Sequence, residues 1–530
     1  MESTPASKAG RPAILVFLIA AVVLLASHGN RVVSTNDEGM ILEPAQRMLA
    51  GARPYVDFFG YMSPGSYWLQ ELVFRVFGIS LWSGRLPVIL DFSVQAALVF
   101  WLVGRLASLR LAVAAALIFA GFQIADPNFL TTQHRWDSGT LALAGLCVAV
   151  HAWARRESLP RMTSFLWAVS GALMAAAAWC TPSLALVGAA IAFWLLIGAS
   201  RRAQLLPWTA GVMAVTLAAV AALANRGSLG AFLEQIAWLK TNYSGLNFMP
   251  YGAVIGGYRA LFGDWAGMES VVRAALVICF LLPAILPIAA LIFSAIALWR
   301  GKVAEENRPV VQLLMLAVVA FVATVFPRAD VMHLAFVAAL PYGLTAIALS
   351  RLVPERAGMV VLSVALALAT VFGANFFNTL RGTRLIPSPV GKLRVPAENA
   401  PEIETWMSQV RPGDSLFVYP YMPLQYFLTQ ARNPTRFSFL APGMMTTQEA
   451  SIALTELQAD PPQWLTYLKL PRGEFLRVFP NASNLDWRFP ALEDWIQENY
   501  QPVENPAVSV FGYQLWRRGR KDSSVTNIQQ

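Results

Sequence analysis

The stretch AILVFLIAAVVLLASHGNRVVSTNDEG, at residues 13–39, contains the two features from which the fold can be read. Its first 17 residues include no Asp, Glu, Lys or Arg, and about 20 apolar residues suffice to cross a bilayer as a helix. Two adjacent carboxylates, Asp37 and Glu38, follow shortly after this run. A predicted membrane helix therefore leads directly into an acidic segment at the water interface.

Composition places the whole chain in the membrane class. Of its 530 residues, 56% are hydrophobic and 13% are charged, about half the charged share of a typical soluble domain. This composition excludes a disordered protein, an ordinary cytosolic enzyme and a fibrous repeat, because too few polar groups are present to cover the surface in water. The net charge of +9 would also suit a nucleic-acid-binding protein, so its meaning depends on where the basic residues lie.

The sequence predicts an α-helical multi-pass membrane protein with about eleven transmembrane helices. One run, 270–298, is long and contains Pro283 and Pro287, and we interpret it as a single kinked or tilted helix. The short run 139–154 needs flanking aromatic residues or a thinner local bilayer to cross. The predicted spans are 13–29, 86–104, 111–126, 139–154, 163–180, 182–199, 207–225, 270–298, 309–326, 334–350 and 357–376.

The basic residues lie in every second connecting segment. These six segments hold fourteen Lys and Arg and five acidic residues, and so carry the whole net charge of the chain. Short basic loops stay in the cytoplasm, so the amino terminus is expected inside, the carboxyl terminus outside, and no nucleic-acid partner is expected. We interpret the first run as an uncleaved helix, although as a secretory signal it would also leave residue 30 outside. The six segments are 1–12, 105–110, 154–162, 200–206, 299–308 and 350–356.

The first outer loop, residues 30–85, is predicted to form two helices that lie on the outer membrane surface. The first covers about 40–50. The second begins at Ser63-Pro64, a favourable N-cap and first-turn pair, and ends near Phe77. Its aromatic residues suit a helix at the membrane interface.

The acidic pair at the start of this loop has two interpretations. Asn36 or Asp37 can cap the first helix, with Glu38 in its first turn near the positive end of the helix dipole. Alternatively, the pair supplies a general base at the membrane surface. The two interpretations can hold together.

The acidic pair after the first span, followed by a helix and an aromatic stretch with Pro and Gly, resembles the GT-C membrane glycosyltransferases. The closest groups are the protein O-mannosyltransferases, the lipid A aminoarabinose transferases and the bacterial "Rgt-like" glycosyltransferases. The most telling segments are AQRMLAG at 45–51, YVDFF at 55–59 and SPG at 63–65. Where the aminoarabinose transferases have Lys-Pro-Pro, this chain has Met62-Ser63-Pro64, which puts in doubt a phosphate-binding lysine at this position.

The resemblance implies transfer of a sugar, with inversion, from a polyprenyl-phosphate carrier to an acceptor hydroxyl at the outer membrane face. Asp37 matches the family's catalytic acidic residue, which would take the proton from the attacking hydroxyl. Glu38 would position Asp37 or the acceptor. One base suffices because the leaving group is already a phosphate, whereas glycoside hydrolysis generally uses two carboxylates.

Two further outer segments collect polar residues. The second outer loop contains Asp126, His134, Arg135 and Asp137. It is either an interfacial anchor with an Arg–Asp pair, or a site where His134 and Arg135 contact the donor phosphate or sugar, since an Arg side chain donates two parallel hydrogen bonds to phosphate.

The turn after the ninth span contains Arg328, Asp330 and His333. It is either a tight turn closed by an Arg–Asp pair or a donor site, and similar Arg-x-Asp-x-x-His turns recur in the Rgt-like relatives. In the second interpretation Arg328 holds the lipid-linked phosphate, His333 hydrogen-bonds it or binds a metal, and Asp330 orients one of the two. Tyr61 and Tyr243 are further cleft candidates.

No cofactor is fixed by the sequence. A divalent cation, magnesium or manganese, suits oxygen ligands, and one set of residues could converge on it. Its members are Asp37, Glu38, Asp126, Asp137 and His333.

The chain divides into a transmembrane catalytic domain, 1–380, and an outer-face α/β domain and tail, 381–530. In the second part a strand is expected at 415–419, helices at 401–410 and 492–498, and a final strand at 507–516. This part binds the acceptor, covers the site or simply stabilises the protein.

Two other functions remain open: a lipid-linked-sugar flippase or transporter, and a non-catalytic envelope assembly protein. A transporter predicts ionisable residues at mid-membrane, whereas here the polar residues gather at one face. The sequence therefore favours an enzyme over a transporter, and the resemblance implies an enzyme of the plasma (inner) membrane with a polyprenyl-phosphate sugar and membrane lipid as partners.

Overall fold

The computed structural model describes residues 9–33, 37–60, 62–124, 127–243, 247–251, 268–469, 471–479, 487–503, 509–510 and 512–519. Up to residue 381 the regular structure is helical. The helices are α1 (Gly10–His28), α2 (Gly39–Leu49), α3 (Pro64–Phe77), α4 (Leu81–Leu106), α5 (Leu109–Ile124), α6 (His134–Arg155), α7 (Pro160–Cys180), α8 (Ala185–Ile197), α9 (Leu205–Asn225), α10 (Leu229–Asn242), α11 (Met268–Trp299), α12 (Arg308–Ala323), α13 (Val331–Ala335), α14 (Ala339–Leu352) and α15 (Glu355–Arg381).

Ten of the eleven apolar runs predicted to span the membrane each follow a single helix, whereas the run 334–350 is divided between α13 and α14 by a break at 336–338. Within the described residues, seven helical segments are long and apolar enough to cross a bilayer, and α5 and Pro182–Ile197 are shorter apolar helices. Helix α14, with 14 residues, rises about 21 Å, less than the roughly 30 Å of a hydrocarbon core. The run with Pro283 and Pro287 forms one helix, α11, as predicted. The count of eleven spans and their orientation stay predictions.

Small residues allow the helices of the bundle to approach closely. A Cβ at Gly171 of α7 would lie 2.0 Å from the carbonyl oxygen of Trp208, and one at Gly211 of α9 would lie 1.9 Å from that of Ala168. Since a side chain at either position would force the helices apart, glycine is required for this contact. The bundle core also buries bulky rings such as Trp136, which is fully buried.

After α15 the chain forms mixed structure, here called the C-terminal segment (383–519). Its elements are β1 (Thr383–Ser388), β2 (Gly391–Pro396), α16 (Ala400–Gln409), β3 (Leu416–Tyr419), α17 (Leu424–Thr429), α18 (Thr447–Ala459), β4 (Trp464–Tyr467), α19 (Arg472–Val478), α20 (Pro490–Asn499), β5 (Tyr500–Pro502), β6 (Ser509–Val510) and β7 (Tyr513–Arg518).

Strands β1 and β2 form an antiparallel pair, and the other strands form one sheet in the order β3-β4-β7-β5, with β6 also paired to β7. Strands β3 and β4 are parallel and the remaining pairs are antiparallel. The predicted strand at 415–419 and both predicted helices are present. The predicted final strand, 507–516, is instead the hairpin of β6 and β7, because Gly512 (φ +82°) turns the chain between them.

The C-terminal segment packs on the first outer loop rather than standing apart from it. Val32 N donates to Arg394 O over 2.8 Å, and Phe74 of α3 stacks on Phe427 of α17 with ring centroids 5.7 Å apart. A Cβ at Gly39 would lie only 2.0 Å from the backbone nitrogen of Leu424. Regions 1–380 and 381–530 therefore share hydrophobic clusters in which residues of both are buried.

The two predicted loop helices are present, but they differ in exposure. Helix α2 buries most of its residues, including Ile41 and Leu42, because α17 packs against it. It therefore does not lie uncovered on a membrane surface. Helix α3 exposes Leu72, Val76 and Phe77, the apolar face expected of an interfacial helix.

Candidate active site

A cavity of about 710 Å³ lies where the helices meet the C-terminal segment. One wall is polar and comes from the helical part, with Gln133, Thr181 and Ser183 among its residues. Seven of the residues selected from the sequence line this wall: Asp37, His134, Arg135, Tyr243, Arg328, Asp330 and His333. The fold thus gathers four separate stretches of chain around one volume.

The opposite wall comes from the C-terminal segment and is mostly apolar. It presents two hydroxyls, those of Tyr421 and Tyr513, among side chains that offer only hydrophobic contact. The apolar members are Pro420, Ala441, Pro442, Met444, Leu468, Phe475 and Phe479. The cavity is therefore amphipathic, with its charges on the side of the helices.

Asp37 occupies the turn just before α2, and its carboxylate faces partners across the cavity. Its Oδ1 accepts a hydrogen bond of 2.6 Å from the Tyr421 hydroxyl, and its Oδ2 lies 3.4 Å from Nε2 of Gln133. The N-terminus of α2 has no side-chain cap. The interpretation of Asp37 as a helix cap is therefore wrong, and Asn36, the other predicted cap, lies outside the described residues.

Glu38 points away from the cavity into the protein. Its carboxylate is fully buried and takes two bonds from Arg85 of α4, at 2.6 Å from Nε and 2.7 Å from Nη2. Arg85 Nη1 in turn lies 2.7 Å from Nε2 of His28, at the end of α1. Because Arg keeps its charge in proteins, this pair ties the start of α2 to α4. It fixes the backbone beside Asp37 and leaves Glu38 outside the cavity lining.

The turn at Arg328, Asp330 and His333 is organised by the central carboxylate. Asp330 caps α13 by accepting from His333 N over 2.9 Å, and it also accepts from Nδ1 of His333 and Nε of Arg328, both at 2.6 Å. Burial alone would raise the pKa of Asp330, but the hydrogen bonds from His333 and Arg328 outweigh it and hold the pKa well below its usual range. Asp330 therefore orients both neighbours rather than one.

The protonation state of His333 follows from its surroundings. Burial and the charges of Arg135 and Arg328 lower its pKa, against the opposing effect of Asp330, so the ring is neutral at pH 7. An ionised carboxylate can only accept, so Nδ1 of His333 carries the hydrogen that Asp330 receives. Nε2 is then an acceptor, suited to a hydroxyl donor.

His134 and Arg135 begin α6 at the cavity wall. Nδ1 of His134 lies 2.7 Å from the Thr181 hydroxyl oxygen, and Nη1 of Arg135 lies 3.5 Å from the Thr324 carbonyl oxygen. Arg135 is also close enough to His333 to affect its pKa. The second outer loop and the turn at 328–333 therefore belong to one charged wall.

Tyr243, just after α10, lies within the influence of four charges. Burial raises its pKa, the cations Arg135 and Arg328 oppose that rise, and the carboxylates Asp37 and Asp330 add to it. Tyr243 is therefore a neutral phenol at physiological pH, able to donate one hydrogen bond.

The remaining candidates do not join this wall. Asp137 is buried in the bundle, where it hydrogen-bonds Asp91 of α4, and Asp126 and Tyr61 lie outside the described residues. Glu38 forms its ion pair with Arg85. The described members of the proposed metal-binding set, which are Asp37, Glu38, Asp137 and His333, therefore do not lie together. The residues that the structure describes contain no group of three or more His, Cys, Asp or Glu suited to a metal ion.

Sequence reasoning missed the contribution of the C-terminal segment, above all Tyr421. This residue is 384 positions from Asp37, and no local pattern links the two. One available signal was its place directly after the predicted strand now seen as β3, because the carboxyl ends of parallel strands commonly carry functional loops.

Comparison with known proteins identifies the architecture. The chain is similar to the crystal structure of ArnT from Cupriavidus metallidurans bound to undecaprenyl phosphate, with a TM-score of 0.58 and 13% identity over 96% of this chain and 98% of that one. The chain has the fold of the GT-C glycosyltransferases. At this level of identity the likeness concerns the fold alone.

Other comparisons agree with the GT-C fold. The oligosaccharyltransferase of Archaeoglobus fulgidus matches in its apo form with a TM-score of 0.54 and 13% identity, over 97% of this chain and 75% of that one. Its complex with zinc and sulfate matches with a TM-score of 0.53 and 14% identity, over 94% and 72%. Residues 62–224 match the family model described as dolichyl-phosphate-mannose-protein mannosyltransferase. No curated protein sequence matches the chain.

Proposed function

We propose that this protein transfers a sugar, with inversion, from a polyprenyl-phosphate donor to an acceptor hydroxyl at the outer face of the plasma membrane. The observation that carries the proposal is the gathering of Asp37, Arg135 and Arg328 around one cavity. A base and two phosphate-binding side chains are what such a transfer needs. The ArnT structure of the same fold, which holds undecaprenyl phosphate, supports the choice of donor.

Asp37 acts as the general base. It takes the proton from the acceptor hydroxyl while that oxygen forms a bond to the anomeric carbon of the sugar. The bond from this carbon to the phosphate oxygen breaks, and its electron pair leaves with the polyprenyl phosphate. A phosphate is a stable anion, so its departure requires no proton donor, and a single displacement gives inversion.

Arg135 and Arg328 bind the donor phosphate. Guanidinium groups donate parallel hydrogen bonds to phosphate oxygens and stabilise the negative charge that the leaving group gains. Asp330 fixes Arg328 through Nε at 2.6 Å, which pre-organises one of the two. Ser63 lines the cavity in the segment Met62-Ser63-Pro64, which stands where the aminoarabinose transferases have Lys-Pro-Pro, so here the arginines take over the role of a lysine.

Two neutral groups complete the polar wall. The acceptor nitrogen Nε2 of His333 receives a sugar hydroxyl, and the Tyr243 phenol donates to a phosphate or sugar oxygen. The first domain and the C-terminal segment both contribute to the site, and the charged loops predict that the site faces outward.

The decisive experiment supplies purified protein in detergent with a panel of polyprenyl-phosphate sugars and measures released polyprenyl phosphate. Wild type is expected to release it, and Asp37→Asn to be at least about 100-fold slower, the low end of the contribution of a general base. Asp57→Asn is the matched control, because Asp57 lies in the same loop but pairs with Arg53 in solvent. Equal activity of wild type and Asp37→Asn would remove Asp37 as the base. In protein reconstituted into liposomes, movement of the lipid-linked sugar between leaflets without release of polyprenyl phosphate would instead support a flippase.

A further inference from the structure

Tyr421, in the turn between β3 and α17, reaches across to Asp37. Its hydroxyl oxygen lies 2.6 Å from Oδ1 of Asp37 and 2.7 Å from the sulfur of Met40. One phenol has one proton to donate, and a carboxylate is a far stronger acceptor than a thioether. The proton therefore goes to Asp37.

The turn that presents Tyr421 is held on several sides. Its backbone nitrogen donates to the Tyr513 hydroxyl over 3.2 Å, and that hydroxyl donates to the Tyr421 carbonyl. Leu440 N donates to Pro420 O over 2.9 Å, and the Tyr421 ring meets Phe439 edge to face at 5.2 Å. The hydroxyl is thus fixed by the C-terminal segment itself.

This contact has two consequences for Asp37. A short hydrogen bond from a fixed donor restricts the rotation of a carboxylate, so Tyr421 holds the Asp37 side chain in one orientation at the cavity. It also occupies Oδ1, while the nearest approach of Gln133 to Oδ2 is a longer 3.4 Å. Oδ2 is therefore the oxygen that can receive the acceptor proton.

We propose that Tyr421 is a positioning residue, which orients the Asp37 carboxylate for proton abstraction. The inference rests on the proposed function and deepens it, because the C-terminal segment then forms part of the active site. In the step itself the acceptor proton moves to Oδ2 of Asp37, the acceptor oxygen bonds to the anomeric carbon, and the phosphate leaves with the electron pair. The Tyr421 proton stays on its own oxygen throughout.

The test is Tyr421→Phe, which keeps the ring and removes only the hydroxyl. We expect kcat about tenfold lower and an unchanged KM for the donor, since a misoriented base slows the proton transfer but does not alter donor binding. Tyr500→Phe is the matched control. It removes another buried hydroxyl of the C-terminal segment, one bonded to Pro462 O at 2.7 Å, and should leave both kcat and KM unchanged.

A second measurement keeps the inference testable without turnover. Infrared spectroscopy observes the carboxylate stretching band of Asp37, which is identified by its loss in Asp37→Asn, and this band should shift in Tyr421→Phe because the carboxylate loses a hydrogen-bond donor. A kcat and a band identical to wild type would overturn the role of Tyr421. An equal loss of kcat in Tyr500→Phe would show a merely structural effect and overturn it too. A shifted band in a protein that releases no polyprenyl phosphate would keep the positioning role but reject the proposed function.

Discussion

Glu38→Gln tests the assignment of Glu38 as an anchor rather than a participant in the chemistry. The substitution preserves the shape of the side chain but removes its charge, and so leaves the Arg85 guanidinium buried without a counter-ion. Both side chains are fully buried, so water cannot replace the lost partner. We therefore expect Glu38→Gln to lower the free energy of unfolding rather than to act directly on the reaction.

The expected magnitude follows from the two bonds of the pair, at 2.6 and 2.7 Å. A hydrogen bond between charged groups contributes about 1.5–3 kcal/mol each, and removing one partner of a buried ion pair costs about 3–5 kcal/mol. We therefore expect Glu38→Gln to lower the free energy of unfolding by about 3–5 kcal/mol. Replacing both residues, as in Glu38→Leu with Arg85→Met, should recover most of that loss, because no charge is left buried and unpaired.

The assay is unfolding in mixed micelles with increasing SDS, followed by tryptophan fluorescence, for wild type, Glu38→Gln and the double variant. Glu157→Gln is the control, since Glu157 is 84% exposed in its pair with Arg156, and such pairs contribute little. The anchor assignment is refuted if Glu38→Gln unfolds as wild type does while sugar transfer is lost, because Glu38 would then act in the reaction.

Three further predictions concern residues that line the cavity and the contact between α2 and α17. Arg328→Lys should raise the KM for the donor about tenfold in the release assay, because an ammonium keeps the charge but not the two parallel donors. Gly39→Ala, whose Cβ would meet the backbone of α17 at 2.0 Å, should lower the unfolding free energy by about 1–3 kcal/mol in the SDS assay, whereas Gly230→Ala, with open space around it, should not. The pKa of His333 is lowered in the folded protein, so the unfolded state binds its proton more readily and stability should fall as pH drops below about 6.5. His333→Asn, which keeps a donor for Asp330, should reduce that slope in unfolding measured between pH 5 and 7.5.

The sequence predicted helices and strands correctly where a single local property, such as a continuous apolar run or an N-cap preference, determines the element. The continuous apolar runs could be satisfied only by helices, and each follows one helix except 334–350, which is divided between α13 and α14. Ser63 and Pro64 marked the start of α3 correctly, because N-cap and first-turn preferences depend only on neighbouring backbone groups. The buried strand at Leu416–Tyr419 was also readable from its short apolar pattern.

Local chemistry failed where a partner distant in sequence decides the role of a side chain. Asp37 and Glu38 are neighbours of the same type, and nothing in the loop distinguishes them. Arg85 of α4 forms a fully buried ion pair with Glu38, whereas Tyr421 of the C-terminal segment hydrogen-bonds Asp37 at the cavity. The same holds for Asp137, which looked like a cleft residue until Asp91 was seen to hold it in the bundle.

The sequence by itself determined that this is a helical membrane protein with acidic, arginine and histidine residues placed in a few connecting turns. It could do so because burial of apolar surface and the orientation of short basic loops depend on composition along the chain. Only the tertiary structure decided that Asp37, Arg328 and His333 meet in one cavity and that Tyr421 joins them. These positions are far apart in sequence: the helical part places Asp37, Arg328 and His333 around one volume, and the packing of the C-terminal segment against the first outer loop brings Tyr421 within hydrogen-bond distance of Asp37.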